Sequence, residues 1–394
     1  MRFKEFLGEW VTTTLESLTK NEKKSFAGGP FGSDLKAEDY TLDGVPIIQL
    51  SNITEDYLNF NERLIFTSEK KADSLISNNA YPGDLIIAKM MPAGRCCIAQ
   101  NLYNRYVLGS DAIRVNLDVK KCNKLFMREQ INTQNIRKKI TSKTAGSTRQ
   151  RIGIPELKNL TLFSPSIEEQ NKIGAFLLKL DTRIETQSKI IGDLELVKKG
   201  IYNHIFTQLN SVEKVLLEDL LIDFNKRTLT NKQYPILSST LSGIYLQEDY
   251  FNKQAASAST EGYKLVPYGF ATYRSMSDTG EFRFNLQTIV ENGIVSPAYP
   301  VFTCIENYRL DFILFCLNYY DDIKKQLFSM KQGGTRLALH FNSLCKLYIP
   351  QIDKEKQSKI MTIVNTYNDK IVVEKQILEK LKEQKKFLLS NMFI

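Results

Sequence analysis

Histidine is nearly absent from this chain: only His204 and His340 occur in 394 residues. Neither comes with a partner residue that would make it a base or a ligand, so both are assigned structural roles. The six cysteines (Cys96, Cys97, Cys122, Cys304, Cys316, Cys345) contain no Cys-x-x-Cys pair, and Cys96-Cys97 is vicinal, a poor structural disulfide. With so little histidine, no tetrahedral zinc set can be drawn at the usual spacings. Free, buried thiols in a reducing cytosol are expected instead. No run approaches the roughly 18 apolar residues that span a bilayer, and Met1-Arg2-Phe3-Lys4-Glu5 carries no signal-peptide core. A soluble, cytoplasmic chain is expected.

Signatures of catalysis are missing as well. There is no GxxxxGK[ST] loop to cradle ATP phosphates, no GxSxG elbow and no HExxH pair. Nor is there an Asn-Pro-Pro-aromatic tetrapeptide, which a DNA amino-methyltransferase uses to hold an extruded base. In Gly28-Gly29-Pro30-Phe31-Gly32-Ser33 the central proline makes a turn rather than a phosphate cradle. Asp84 and Glu168-Glu169 are explained by turns and helix capping. No catalytic, cofactor-binding or metal-ligating residue of this chain is expected.

What the chain does have is a repeat. Gly146-Ser147-Thr148-Arg149, Leu157, Leu160, Gln170, Lys172 and Ile173 recur as Gly334-Thr335-Arg336, Leu344, Leu347, Gln357, Lys359 and Ile360. From Thr148 and Thr335 onward each pair is 187 positions apart, and Ile205-Phe206 answers Met392-Phe393 in the same register. The parts that differ between the halves are then what each half reads or holds.

Residues 1–165 mix short β-like runs (46–50, 84–88, 112–115) with turn signals, and the basic stretch from Phe126 to Lys143 reads as one helix on that sheet. In residues 166–208 the period changes. Ile173, Leu177, Leu180, Ile184, Gln187, Ile191 and Leu194 form a seam of period 3.5, drifting on through Val197, Ile201 and Ile205. Ser166 and Glu169 suggest a capping box at its start, and about 40 residues of helix would run roughly 60 Å. Residues 209–350 are again β-rich, with strands expected at 269–273, 288–290 and 294–296 and a helix from Asp311 to Met330. Residues 351–394 repeat the seam through Ile360, Val364, Tyr367, Ile371, Glu374, Leu378, Leu381, Gln384, Leu388 and Met392. Polar Gln187 falls on Glu374, whereas Gln384 replaces Val197. Two stripes this long are expected to bury against each other. The fold class is α+β, in two β-rich halves that each close on a long helix.

The formal charge of +9 leans toward an anionic partner, most commonly nucleic acid. Candidates for DNA contact in the first half are Lys89, Arg95, Arg105, and Thr148, Arg149 and Arg151 after a glycine. In the second half they are Tyr273, Arg274, Ser275, Arg283, Thr335 and Arg336. These set a cation beside small or hydroxyl residues in turns, which suits phosphate or base contact. The repeated Thr-Arg pairs suit a role common to both halves, such as phosphate contact, and Arg95 and Arg274 lie in the unshared stretches.

The order of these motifs resembles the specificity subunit of a Type I restriction–modification enzyme. The resemblance rests on a Gly-(Ser)-Thr-Arg turn, a Leu-x-x-Leu strand, the helix starts Pro165-Ser166-Ile167-Glu168-Glu169-Gln170 and, more loosely, Pro350 to Gln357, and a long helix closing each half. Glu9-Trp10 with Leu15, and Gly44-Val45-Pro46-Ile47-Ile48, resemble the start of the family's first target recognition domain; the second half has no tryptophan at its start. The resemblance implies target recognition domains at 1–165 and 209–350, each reading half of a split DNA sequence. It implies spacer helices at 166–208 and 351–394 forming an antiparallel coiled coil with a pseudo-twofold repeat. It also implies double-stranded DNA, two methylation subunits and restriction subunits as partners, with S-adenosylmethionine, ATP and Mg held by those partners and no catalysis in this chain. A stand-alone DNA methyltransferase or nuclease would instead transfer methyl groups or cut by itself. A coiled-coil scaffold would lack salt-sensitive DNA binding.

Overall fold

A computed structural model describes the chain except residues 1, 21, 23, 61–63, 147–149, 251–258, 278, 331–336 and 394, with backbone alone at 249, 250 and 337. It divides into two compact units, Met1–Lys189 with Lys375–Ile394, and Ile190–Glu374. Each unit holds one β-rich domain and part of each long helix.

In the first unit, Val11–Thr14 pairs antiparallel with Thr161–Ser164, the strand that leads into the first long helix. A four-stranded sheet follows in the order Phe26–Gly28, Ala112–Val115, Leu85–Ala88, Cys96–Ile98. Its two central strands are buried along their whole length: Leu85–Ala88 reads as an unbroken apolar run rather than an alternating one, whereas Ala112–Val115 buries Arg114, which donates to the Asn79 carbonyl at 2.6 Å. A five-stranded sheet contains the parallel pair Val45–Ile48 and Tyr106–Leu108. The Gly28-Gly29 turn packs on Gly109, whose carbonyl oxygen would lie 1.8 Å from any Cβ at position 29, so only glycine fits. Asp84 serves its turn, its carboxylate accepting from the Tyr81 N–H at 2.8 Å.

The second unit repeats this frame. Lys214–Leu216 pairs with Tyr348–Pro350, and a four-stranded sheet runs Leu221–Asp223, Val301–Cys304, Ala271–Thr272, Asn285–Leu286. The strand expected at 288–290 is a turn instead, because the Gln287 side-chain oxygen accepts from the N–H groups of Ile289 (2.6 Å) and Val290 (3.2 Å).

Each single helix expected beside these sheets is a pair. In the first unit Lys124–Asn132 and Gln134–Ser142 are broken at extended Thr133, and in the second Leu310–Tyr319 and Asp321–Ser329 are broken at extended Tyr320. The cause is shared. Asn132 accepts from the Cys96 N–H and donates to its carbonyl (3.0 and 2.7 Å), and Asn318 does the same to Phe284 (3.0 and 2.9 Å). Each asparagine docks the end of its helix at the start of the fourth strand, on its first residue Cys96 in the first unit and on Phe284 just before it in the second, and the chain turns there.

The long helices are Ile167–Leu209 and Lys354–Met392. In the first unit Ile173, Leu177 and Leu180 share a buried cluster with Leu381, Leu388 and Met392. In the second, Tyr202, Ile205, Phe206 and Leu209 share one with Met361 and Val364. The N-terminal part of one helix meets the C-terminal part of the other in the first unit, so the coiled coil is antiparallel. Val197 is 47% exposed and Gln384 is also exposed, so the mismatch seen in sequence falls outside the seam. The inward positions beside them are Lys198 and Lys385.

The repeated glutamines anchor these helices. The Gln170 side-chain oxygen accepts from the Asn123 N–H (2.9 Å) while its amide donates to the Pro165 carbonyl (2.9 Å). Gln357 does the same with Arg309 (2.8 Å) and Ile352 (2.9 Å). Both side chains are buried, so Gln357→Ala leaves two backbone groups without partners. A stability loss of about 1–3 kcal/mol in denaturant titration is expected. Only half of the expected capping box forms. The Ser166 hydroxyl accepts from the Glu169 N–H (3.3 Å), but the Glu169 carboxylate turns to the Arg2 guanidinium (2.5 and 2.6 Å) and the Trp10 indole (3.3 Å).

Candidate nucleic-acid interface

The third and fourth strands of each four-stranded sheet are joined by a hairpin loop, at 89–95 in the first unit and 273–284 in the second. Lys89 and Arg95 lie in the first loop; Tyr273, Arg274, Ser275 and Arg283 lie in the second. Residues chosen for their chemistry thus fall in topologically equivalent loops. The chain returning from the paired short helices runs alongside each. The Ile152 N–H donates to the Lys89 carbonyl (2.9 Å), and the Leu339 N–H donates to the Ser275 carbonyl (2.7 Å). Ile152 and Leu339 are themselves 187 positions apart. Thr148, Arg149, Thr335 and Arg336 lie outside the described residues, a few positions ahead of these contacts.

The individual side chains divide sharply. Arg274 is exposed and has no ion pair among the described residues. Its neighbours point the other way, as alternation along an extended segment requires. Tyr273 is wholly buried, its hydroxyl donating to the Leu339 carbonyl at 3.0 Å, and Ser275 is buried and donates to the Ala298 carbonyl at 2.9 Å. Both are structural residues, which corrects their assignment as DNA contacts. Arg95 is half-buried, and its Nε is buried without an acceptor among the described residues.

Arg283 is held on the helix pair. It donates to the Tyr319 hydroxyl (2.8 Å), and its guanidinium carbon lies 4.9 Å from that ring's centre. Arg151 pairs with Asp111 at 2.7 Å yet stays beside the first loop through its bridge to Met90. Arg105 stands immediately before the strand Tyr106–Leu108 and pairs with Asp73 (2.6 Å) and Glu69. Those hydrogen-bonded carboxylates, Asp73 first, raise its pKa further.

A second polar cluster underlies the first unit. Asp56, Glu129 and Asp181 bring carboxylate oxygens within 4.8 Å of one another, the kind of grouping that can hold a metal ion. Here the Lys385 ammonium stands among them, 2.6 Å from Asp181 and 2.8 Å from Asp56, and Arg128 pairs with Glu129 and, at 2.7 Å, with Asp181. The cluster is a lysine cage. All six cysteines are free, and burial pushes the Cys97 and Cys122 thiols up to about 12. His204 hydrogen-bonds Gln208 at 3.0 Å, and His340 precedes the short helix Phe341–Leu344. No helix among the described residues is long and apolar enough to cross a membrane.

Two β-rich domains thus stand on a repeated frame, each with a cation-bearing hairpin loop. Residues 9–196 match the family described as the Type I restriction modification DNA specificity domain. The whole chain also shares its fold with the S subunit of a Type I restriction–modification system from M. genitalium. That match has 17% identity and a TM-score of 0.61, covering 100% of this chain and 97% of the other. A chain from a structure described as the basis of complex assembly and conformational transition of the type I R-M system matches with 13% identity and a TM-score of 0.55, over 98% of each chain.

Proposed function

We propose that this chain reads a DNA sequence in two parts, one through each hairpin loop, and docks methylation and restriction subunits that carry out the chemistry. The observation that carries this reading is the equivalence of the two loops. They occupy the same place in a repeated frame, yet differ in sequence and in length, as two readers of different half-sites must. Lys89, Arg95 and Arg274, which have no ion pair among the described residues, suit base edges and phosphates. S-adenosylmethionine, ATP and Mg would belong to the partner subunits.

Exchanging residues 1–145 for the corresponding part of another such subunit tests it. With the methylation partner present, mapping methylated adenines across a genome should show one half of the recognised sequence changed and the other retained. Loss of both halves, or an unchanged sequence, would refute independent readers.

A further inference from the structure

We propose that Arg137 is a positioning residue for sequence reading in the first half, holding the loop that presents Arg95. This rests on the reading of that loop as a DNA reader.

Arg137 lies on the helix Gln134–Ser142, outside the loop, and its guanidinium faces the loop's backbone. Its Nε donates to the Ala93 carbonyl at 3.0 Å and its Nη2 reaches the Pro92 carbonyl at 3.4 Å. The remaining Nη1 donates to the Glu55 carboxylate at 3.0 Å. Glu55 is itself fixed, its carbonyl accepting from the Asn132 side chain at 2.8 Å. That same asparagine grips Cys96, the residue after Arg95.

The loop is built to lie against this helix. Gly94 has φ +82°, and a Cβ there would stand 2.7 Å from the Ile140 side chain and 3.3 Å from Arg137 Cδ. Arg95 therefore leaves a short segment clamped on both sides, by Arg137 on residues 92 and 93 and by Asn132 on residue 96. A planar fork of donors suits two carbonyls and a carboxylate at once; a lysine ammonium cannot match that geometry. The second unit reaches a similar end by another route, with Arg283 of the loop donating to Tyr319 of the helix. In the first half, an arginine outside the loop would decide how its neighbour is aimed.

The test uses the full-length chain with its methylation partner. Arg95→Ala, Arg137→Ala and Arg137→Lys are compared by methylated-site mapping and by thermal melting. Arg137→Ala should lose about tenfold in discrimination at base pairs of one half-site, leaving the other half-site as strict as before; Arg137→Lys should recover only part of it. If Arg137→Ala does not fold, Arg137→Lys decides the outcome, since it keeps the charge and loses the fork. Relaxation by Arg95→Ala together with full selectivity in a well-folded Arg137→Lys would overturn the positioning role while leaving the loop a reader. No effect of Arg95→Ala on either half-site would overturn the reader assignment, and this inference with it.

Discussion

Lys385→Met should lower the stability of the first unit by about 3–5 kcal/mol, the range for removing one partner of a buried ion pair. The Lys385 side chain is 16% exposed and faces Asp181 (16%), Glu129 (2%) and the more open Asp56. Without it, three carboxylates would be left to the single guanidinium of Arg128. The equivalent lysine of the second unit gives the contrast. Lys198 lies 5.4 Å from the ring centre of Tyr202 and 5.9 Å from that of Tyr319. Lys198→Met should therefore cost only about 0.5–1 kcal/mol. Denaturant titration of both variants checks the pair, and equal losses would show that the cage contributes no more than a surface contact.

The pH dependence carries a sign. Burial alone would lower the Lys385 pKa, but the fields of Glu129 and Asp56 and the hydrogen bonds to Asp181 and Asp56 outweigh it, so the net shift is upward from 10.5. A raised folded pKa contributes stability that is complete below the unfolded value and is lost as pH rises through the folded one. The difference between wild type and Lys385→Met should hold steady from neutral pH to about 10 and shrink above it. Glu129 is also shifted upward, with burial outweighing Arg128 and Lys385. Acidification therefore draws no loss of stability from its titration.

How much of this was legible follows from where each cause lies along the chain. The frame was legible because it is written twice: Gln170 and Gln357 stand out as a repeated pair, and both make the same buried bridge. The hairpin loops were legible as clusters of cation and small residue between apolar runs. The helix breaks were not, because Asn132 and Asn318 answer to strands 36 and 34 residues away. The ion pairs of Arg105 were not legible, because its carboxylate partners, on Glu69 and Asp73, come from a separate helix. Arg137 was one cation in a basic stretch until the fold set it against Pro92 and Ala93. Ser147-Thr148-Arg149 and Thr335-Arg336 remain defined by sequence and by the contacts that follow them.

Tyr273→Ala is expected to cost about 3–5 kcal/mol, as for other large aromatic truncations in a core. The ring is wholly buried, with the Phe284 ring 4.8 Å away and that of Phe302 6.2 Å away, so truncation opens a cavity in the second unit. Tyr273→Phe separates the packing from the hydroxyl. It keeps the ring and leaves the Leu339 carbonyl without its donor, for a loss of about 1 kcal/mol. Burial pushes the phenol well above its ordinary value of 10.0. It stays protonated in the folded chain, so wild-type stability should fall as pH rises past about 10, where the unfolded phenol ionises. Tyr273→Phe should be less stable at neutral pH yet decline less steeply in alkali. Denaturant titrations at pH 7 and above pH 10 measure both effects. A phenylalanine variant of unchanged stability that binds DNA more weakly would return Tyr273 to the interface. The expected result leaves Arg274, between two inward-facing neighbours, as the exposed cation of that segment of the loop.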